Sequence, residues 1–206
     1  MKKNIKLSKK TTLQQFENNY WYALELKEFA KTIGLKATSR LRKDQLEIKI
    51  REYIETGSII EKATESKKRS KEKDYELSPL TMETQVMNYC SNAVTKAFIL
   101  SEAEKIQTDL PKKSGVWYWV NRWREEQLQQ AVVTYGDIVH QFIELSNKEG
   151  KLPRIPSTKF NNFIGDFLDA DAGSRAEAMQ AWEQLKQMNA PKTFEAWSKH
   201  RQRSEE

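Results

Sequence analysis

Residues 22–57 have the sequence YALELKEFAKTIGLKATSRLRKDQLEIKIREYIETG. Apolar residues recur in it three or four positions apart in two separate stretches, which is the spacing of one face of an α-helix. The first stripe covers residues 22–33 and is followed by Gly34, and the second covers 46–54 and is followed by Gly57. Glycine commonly ends a helix because it adopts the left-handed conformation without strain. The pattern therefore predicts two amphipathic helices joined by a loop.

The second helix is predicted over about 43–56, and the loop before it carries apolar and cationic side chains. Leu35 and Leu41 can pack back against the two stripes. The cations of this region are expected to face water, and they are Lys36, Arg40, Arg42 and Lys43. A helix N-terminus beside such a loop offers backbone N–H groups and the positive end of a helix dipole to an anion. The loop and the helix start are therefore candidates for phosphate binding.

The helix pair is too small to be stable without further packing, because units below about 40 residues bury little apolar surface. A cluster of aromatic residues precedes it: Phe16, Tyr20, Trp21 and Tyr22. We expect this cluster to cover the helix pair as an N-terminal extension.

The positive charge of the chain is concentrated at one end. The chain has 35 Lys and Arg against 29 Asp and Glu, a net charge of +6. Residues 1–60 hold 13 cations and 7 carboxylates, residues 61–80 hold 6 and 5, and residues 81–206 hold 16 and 17. A local basic excess is the electrostatic footprint expected of a nucleic-acid-binding surface. The contact candidates are Lys27, Lys31, Lys36, Arg40, Arg42 and Lys43.

The residues of the helix pair also carry a family resemblance. The segments 25–35 (ELKEFAKTIGL) and 41–46 (LRKDQL) resemble the SAP domain, and they are similar to the N-terminal helical domain of transcription termination factor Rho. Both belong to a helix–extended loop–helix class. The resemblance implies nucleic-acid binding. SAP domains usually bind double-stranded DNA, and the Rho domain acts in an RNA-dependent process.

The rest of the chain is predicted to be a charged linker, residues 61–77, followed by a helical domain, residues 78–206. The linker mixes both charge signs with almost no apolar residues, so it cannot form a core. In the domain, apolar periodicity and capping signals predict five to seven helices, with starts placed at Ser78-Pro79, Ser101, Ser174 and Thr193. The expected fold class is all-α, with residues 1–60 as a SAP-like domain.

Four stretches of the C-terminal region carry a second resemblance, namely residues 84–92, 134–139, 154–156 and 181–186. Residues 78–200 are similar to the region that follows SAP domains in an uncharacterised family of bacterial proteins. The resemblance supports the SAP-like interpretation of the N-terminal residues and implies no activity for the region itself.

Composition excludes several classes of protein. No apolar run approaches the ~20 residues of a transmembrane helix, and no apolar segment of a signal peptide follows the basic start, so a cytoplasmic protein without membrane contact is expected. One cysteine and two histidines argue against a disulfide framework and against a zinc site. With 7 Gly and 5 Pro, neither a turn-rich β fold nor a glycine-rich phosphate loop is expected. No metal or cofactor is predicted.

The residues that could carry catalysis are few. His140 follows an apolar helix position and is expected at the edge of a core, and Cys90 is expected in a helical apolar pattern. Asp166, Asp169 and Asp171 lack the spacing of an EF-hand. No set of nucleophile, base and partner emerges, so the protein is predicted to be no enzyme.

The sequence therefore predicts a non-enzymatic nucleic-acid-binding protein that contacts the phosphates of duplex DNA, with RNA as another possible ligand. The alternative is a helical adaptor that binds proteins, in which the C-terminal domain supplies a second docking face. The segment 40–43 (RLRK) distinguishes these hypotheses, because phosphate binding needs its charges and hydrophobic docking does not. An exposed Trp119 beside Arg122 is a further candidate for stacking on a base or a partner.

Overall fold

The computed structural model describes residues 5–59 and 72–205, with side chains as far as residue 203. Within this part of the chain all regular structure is helical, and the only β-type pairing is an isolated bridge between Gln85 and Thr134. The predicted all-α class is confirmed. The elements are α1 (Leu13–Glu17), α2 (Ala23–Thr32), a short 3-10 helix (Thr38–Arg40), α3 (Lys43–Thr56), α4 (Asp74–Leu77), α5 (Ala93–Ile106), α6 (Val116–Gln127), α7 (Tyr135–Asn147), α8 (Lys159–Asp169), α9 (Arg175–Gln187) and α10 (Phe194–Glu205).

The contacts divide the chain into two compact units. The first unit combines residues up to 64 with residues from 155 onward, and the second unit comprises residues 65–154. Most of the predicted linker, residues 61–71, lies outside the described residues. The described end of that segment includes α4, so part of it is helical.

The first two long helices form as their glycines and apolar stripes indicate. α2 ends in a Schellman motif, in which the Leu35 N–H donates to the carbonyl of Ala30 at 2.9 Å and the Gly34 N–H donates to that of Lys31 at 3.0 Å. Gly34 has φ +90°, a conformation in which a side chain would be strained. The predicted helix over 43–56 is confirmed by α3, which is closed by Gly57 at φ +72°.

The core of this helix pair is completed by residues that precede it. Leu26, Leu46 and Ile50 are fully buried between α2 and α3. Phe16 and Trp21 are also buried in this core, and the indole Nε1 of Trp21 donates to the carbonyl of Phe16 at 2.8 Å. The expected N-terminal cover is therefore present for these two residues. Tyr22, which the apolar stripe placed on the inner face, is instead the N-cap of α2 and is 55% exposed.

The helices α8, α9 and α10 contain the second core of the first unit. Six aromatic or aliphatic side chains dominate it, namely Phe163, Ile164, Phe167, Trp182, Leu185 and Trp197. α9 begins at the predicted capping box, in which the Ser174 hydroxyl accepts a hydrogen bond from the Glu177 N–H at 3.3 Å. Tyr20, from the segment before α2, packs against this core with its ring edge-on to Trp182 at 5.2 Å. The two ends of the described chain thus contact each other through an aromatic pair.

The second unit is built from α4 to α7 around one apolar core. Its fully buried members include Ile99 of α5, Val120 of α6 and Ile138 of α7. The capping box Thr134–Asp137 begins α7.

Two predicted helix starts in this unit are wrong. Ser78 and Pro79 begin no helix, because Ser78 follows the last residue of α4 and residues 78–92 remain irregular. The next helix begins only after Asn92, whose side chain accepts from the Thr95 N–H at 3.0 Å. Ser101 lies inside α5 and starts no separate helix.

Three single-residue expectations in this unit also need correction. Cys90 is half-buried in the irregular segment and is not part of a helix. His140 is exposed on α7. Trp119 is partly buried against the core, and its indole N–H donates to the carbonyl of Pro153 at 2.9 Å, so its ring is not the free stacking surface that the sequence suggested.

Candidate nucleic-acid interface

Two lysines of α2 lie on the same side of that helix. Lys27 and Lys31 are four residues apart, a spacing that places side chains one above the other on an α-helix. Lys27 is half-buried and Lys31 is exposed. The buried face of the helix carries Leu26, Phe29 and Ala30.

The loop after α2 holds two further cations at the surface. Lys36 and Arg40 are exposed, while Leu35 and Thr38, with which they alternate, are buried at 6% and 4% exposure. Ala37 has φ +52°, and its carbonyl accepts the Arg40 N–H at 3.0 Å. The loop is thus fixed by buried side chains and by its own backbone, and its cations point to solvent.

These four cations have no ion-pair partner in the part of the chain that the structure describes. Within residues 5–59 and 72–205, Lys27, Lys31, Lys36 and Arg40 form no ion pair. A cation without a carboxylate partner can bind a phosphate with no internal ion pair to break.

Arg42 differs from these four cations because it is paired within its own helix. It is the N-cap of α3, and its Nε lies 3.2 Å from Oδ1 of Asp44. Its backbone N–H donates to Oε1 of Gln45 at 3.1 Å.

Lys43 is mostly buried, although the sequence predicted that it faces water. Its side chain is 18% exposed, its Nζ lies 3.9 Å from Oε1 of Glu47, and the same Nζ lies 4.3 Å from the ring centroid of Tyr20. Burial lowers the pKa of Lys43 despite the attraction of Glu47, and burial raises the pKa of Glu47 despite nearby cations, Lys159 foremost among them. The ammonium of Lys43 is therefore held between a carboxylate and an aromatic face.

The ring of Tyr20 is also one wall of a cavity in the first unit. This aromatic cavity, of about 380 Å³, is walled by Tyr20, Tyr22, Phe160 and Trp182. The rings of Tyr20 and Tyr22 meet edge-on at 5.1 Å, and those of Phe160 and Trp182 meet in the same way at 5.6 Å. Aromatic surface thus comes from two segments that are far apart in the sequence.

Polar groups lie at the edge of the aromatic cavity. They are Gln180, Glu183 and Lys186 of α9. The Nζ of Lys186 is 2.8 Å from Oε1 of Glu183. Burial alone would lower the pKa of Lys186, but the hydrogen bond to Glu183 and the interactions with Tyr22 raise it above its ordinary value. Lys186 is therefore a charged group at neutral pH.

The described residues contain no group of three or more His, Cys, Asp and Glu that could hold a metal ion. Asp169 and Asp171 are exposed at the end of α8, and Asp171 has φ +47°. None of the described helices has the length and apolar character needed to cross a membrane.

Comparison of the chain with protein-family models, with curated proteins and with solved structures found no match.

The sequence singled out the cations but not the cavity. The aromatic cover predicted from the sequence contains Tyr20 and Tyr22, whereas Phe160 and Trp182 fall in the predicted helical domain of residues 78–206. Each assignment concerned one local segment. No sequence signal showed that residues some 140 positions apart would wall the same cavity.

Proposed function

We propose that this protein is a non-enzymatic nucleic-acid-binding protein, and that the SAP-like helix–loop–helix of the first unit contacts phosphates of duplex DNA. The observation that supports this most is the set of four cations on α2 and the following loop that have no ion pair among the described residues. They are Lys27, Lys31, Lys36 and Arg40.

The backbone that carries these cations is already fixed before binding, which favours phosphate contact. The Schellman turn at Gly34 and the buried side chains of Leu35 and Thr38 hold the loop, so little ordering of the main chain is required on binding. Side chains that contact phosphate alone fix the position of the protein on the duplex and carry no base specificity. Binding should be salt-dependent and largely independent of sequence.

The six predicted contact residues are unequal in this proposal. Lys31, Lys36 and Arg40 are exposed and are assigned the main contacts, with Lys27 beside them. Arg42 and Lys43 already interact with carboxylates of α3, so their contribution to binding is expected to be smaller.

The test is a fluorescence-anisotropy titration of a labelled DNA duplex at several salt concentrations. The variant Lys31→Ala/Lys36→Ala/Arg40→Ala removes three exposed cations, and the control Lys112→Ala/Lys148→Ala/Arg175→Ala removes the same charge from exposed positions elsewhere. The site variant should lose affinity and about three units of the slope of log K against log salt concentration, whereas the control should keep that slope nearly unchanged.

Two results would contradict the proposal. If the two variants lose affinity equally, binding reflects net charge and not the loop. If the unaltered protein does not bind duplex at low salt, the alternative of a protein-binding adaptor takes its place, and pull-down experiments become the appropriate measurement.

A further inference from the structure

We propose that the aromatic cavity of the first unit binds one unpaired base of a single-stranded nucleic-acid segment, stacked on the ring of Tyr22. This inference rests on the proposed function, and it adds a second mode of binding to the phosphate contacts of the helix–loop–helix.

The first argument is the available aromatic surface. Tyr22 is 55% exposed, and the neighbouring cavity residue Met179 is 50% exposed. Tyr20 and Trp182, which are half-buried and buried, form the interior walls. Unpaired bases stack on exposed aromatic side chains with little regard to sequence, because each base has a π-face. The cavity thus combines an accessible ring with a rigid aromatic floor.

The second argument is the chemistry of the cavity edge. Gln180 has an amide that both donates and accepts, Glu183 accepts, and Lys186 donates. The edge of a base carries donors and acceptors in one plane, and proteins that bind unpaired bases hydrogen-bond to those edges. An apolar side chain of a protein partner could make no such hydrogen bonds.

The third argument is charge. Lys186 lies at the cavity edge, and Lys43 already covers a face of the Tyr20 ring, so that face is closed to a quaternary ammonium ligand. The ammonium of Lys186 can attract a phosphate that flanks a bound base. Lys43 is also the first residue of α3, so the ring of Tyr20, one wall of the cavity, lies beside the helix start that follows the cationic loop. One strand can therefore contact the loop with its phosphates and the cavity with a base.

The experiment uses the full chain and a short DNA strand with one central 2-aminopurine, whose fluorescence is quenched by stacking. The strand is titrated alone and paired in a duplex. The variants are Tyr22→Ala, which removes the stacking ring, Tyr22→Phe, which keeps it, and Leu24→Ala, which truncates another exposed side chain two residues away. Circular dichroism and thermal unfolding verify that each variant is folded.

Binding of the single strand to the unaltered protein should change the 2-aminopurine fluorescence. Tyr22→Ala should weaken single-strand binding about 5- to 150-fold, the range expected for loss of one base–aromatic stack. Its affinity for the duplex should stay unchanged, and both Tyr22→Phe and Leu24→Ala should behave like the unaltered protein.

Other outcomes separate this inference from the proposed function. If the protein binds duplex with a salt dependence that requires the loop, but Tyr22→Ala binds the single strand normally and no fluorescence change occurs, the cavity inference is overturned and the proposed function stands. If Tyr22→Ala weakens duplex and single strand alike, the ring belongs to the general interface and the inference is also overturned. If the unaltered protein binds neither nucleic acid, both proposals fail.

Discussion

The hydroxyl of Tyr135 donates a hydrogen bond to the carboxylate of Asp74 at 3.1 Å in the interior of the second unit. Asp74 is 5% exposed, and its carboxylate also accepts the backbone N–H groups of Met87 at 3.1 Å and Asn88 at 2.7 Å. Burial, followed by the charge of Asp74, raises the pKa of Tyr135 well above its usual range. One carboxylate thus links α4, the irregular segment 78–92 and α7.

Replacing Asp74 with Ala should destabilise the second unit by about 3 kcal/mol, because it leaves buried donors without an acceptor. Tyr135→Phe should cost less, since it removes a single donor and keeps the carboxylate on two N–H groups. Thermal unfolding followed by circular dichroism measures both. An Asp74→Ala variant as stable as one with the exposed Glu83 replaced by Ala would show that these hydrogen bonds contribute little.

Lys43→Ala should mainly reduce the stability of the first unit, whereas Arg40→Ala should mainly weaken DNA binding. Lys43 contacts Glu47 and the ring of Tyr20, so its loss should destabilise the first unit by about 1 kcal/mol and remove one of the cations near the half-buried Glu47. Arg40 is exposed and unpaired among the described residues, so its loss should leave the unfolding temperature nearly unchanged while weakening DNA binding more than Lys43→Ala does. Unfolding and anisotropy measurements on the two variants check this, and the reverse order in either measurement would contradict the assigned roles.

Because of Lys192, the free energy of unfolding of the first unit should depend on pH above pH 7. It is 4% exposed, and its Nζ donates to the carbonyls of Leu185, Met188 and Ala190 at 2.8, 2.6 and 3.1 Å, which lie at the end of α9 and just beyond it. Burial, with a smaller effect of Lys159, lowers its pKa from 10.5 to about 8. Between these values the unfolded chain holds a proton that the folded chain has released, so this group favours folding increasingly as pH rises.

The measurement is the difference in unfolding midpoint between the unaltered protein and Lys192→Met. The carbonyl contacts should make the unaltered protein the more stable one at about pH 7, and its advantage should grow as pH rises through 8 toward 10.5. A difference that stays constant over this range would show that the ammonium is held at its ordinary pKa by the three carbonyls.

Gly136→Ala should destabilise the second unit although alanine is the better helix former. A Cβ at this position of α7 would lie 2.8 Å from the carbonyl oxygen of Met82, to which the Gly136 N–H itself donates. The close backbone approach should outweigh the ~1 kcal/mol gain in helix propensity. Thermal unfolding of Gly136→Ala beside His140→Ala, an exposed change on the same helix, provides the test. Equal or higher stability of Gly136→Ala would mean that the segment around Met82 moves away freely.

Local sequence signals correctly predicted helix ends that are set by hydrogen bonds between neighbouring residues. Gly34 and Gly57 end α2 and α3, and Ser174 begins α9, because each signal acts on hydrogen bonds within a few residues. The same reasoning correctly placed Leu26 and Leu46 in a core.

The sequence was misleading where distant groups bind the backbone. Ser78-Pro79 has the composition of a helix start, yet the following segment donates its N–H groups to partners far along the chain. The Val86 N–H donates to the carbonyl of Val133 at 2.8 Å, and the next two N–H groups donate to Asp74. Such partners satisfy the backbone without a helix, and periodicity cannot reveal them.

The same distinction between local and distant interactions applies to the two parts of the candidate site, the cations and the aromatic cavity. The surface position of the cations on α2 and in the loop follows from the helical periodicity and from the glycine that ends α2, so it could be predicted. The aromatic cavity depends on Tyr20 and Trp182 coming together, and no pattern within a short window contains that information.

The first unit is discontinuous in the chain, and this has a consequence for its synthesis. The second unit is complete once residue 154 has been made, whereas the first unit needs residues from both sides of it. A nascent chain that has not yet reached Phe160 already contains the cationic loop but lacks two walls of the aromatic cavity. Since chains are made from the N-terminus, the cavity can form only after Trp182 has been added, and a ligand that needs the cavity cannot bind before then.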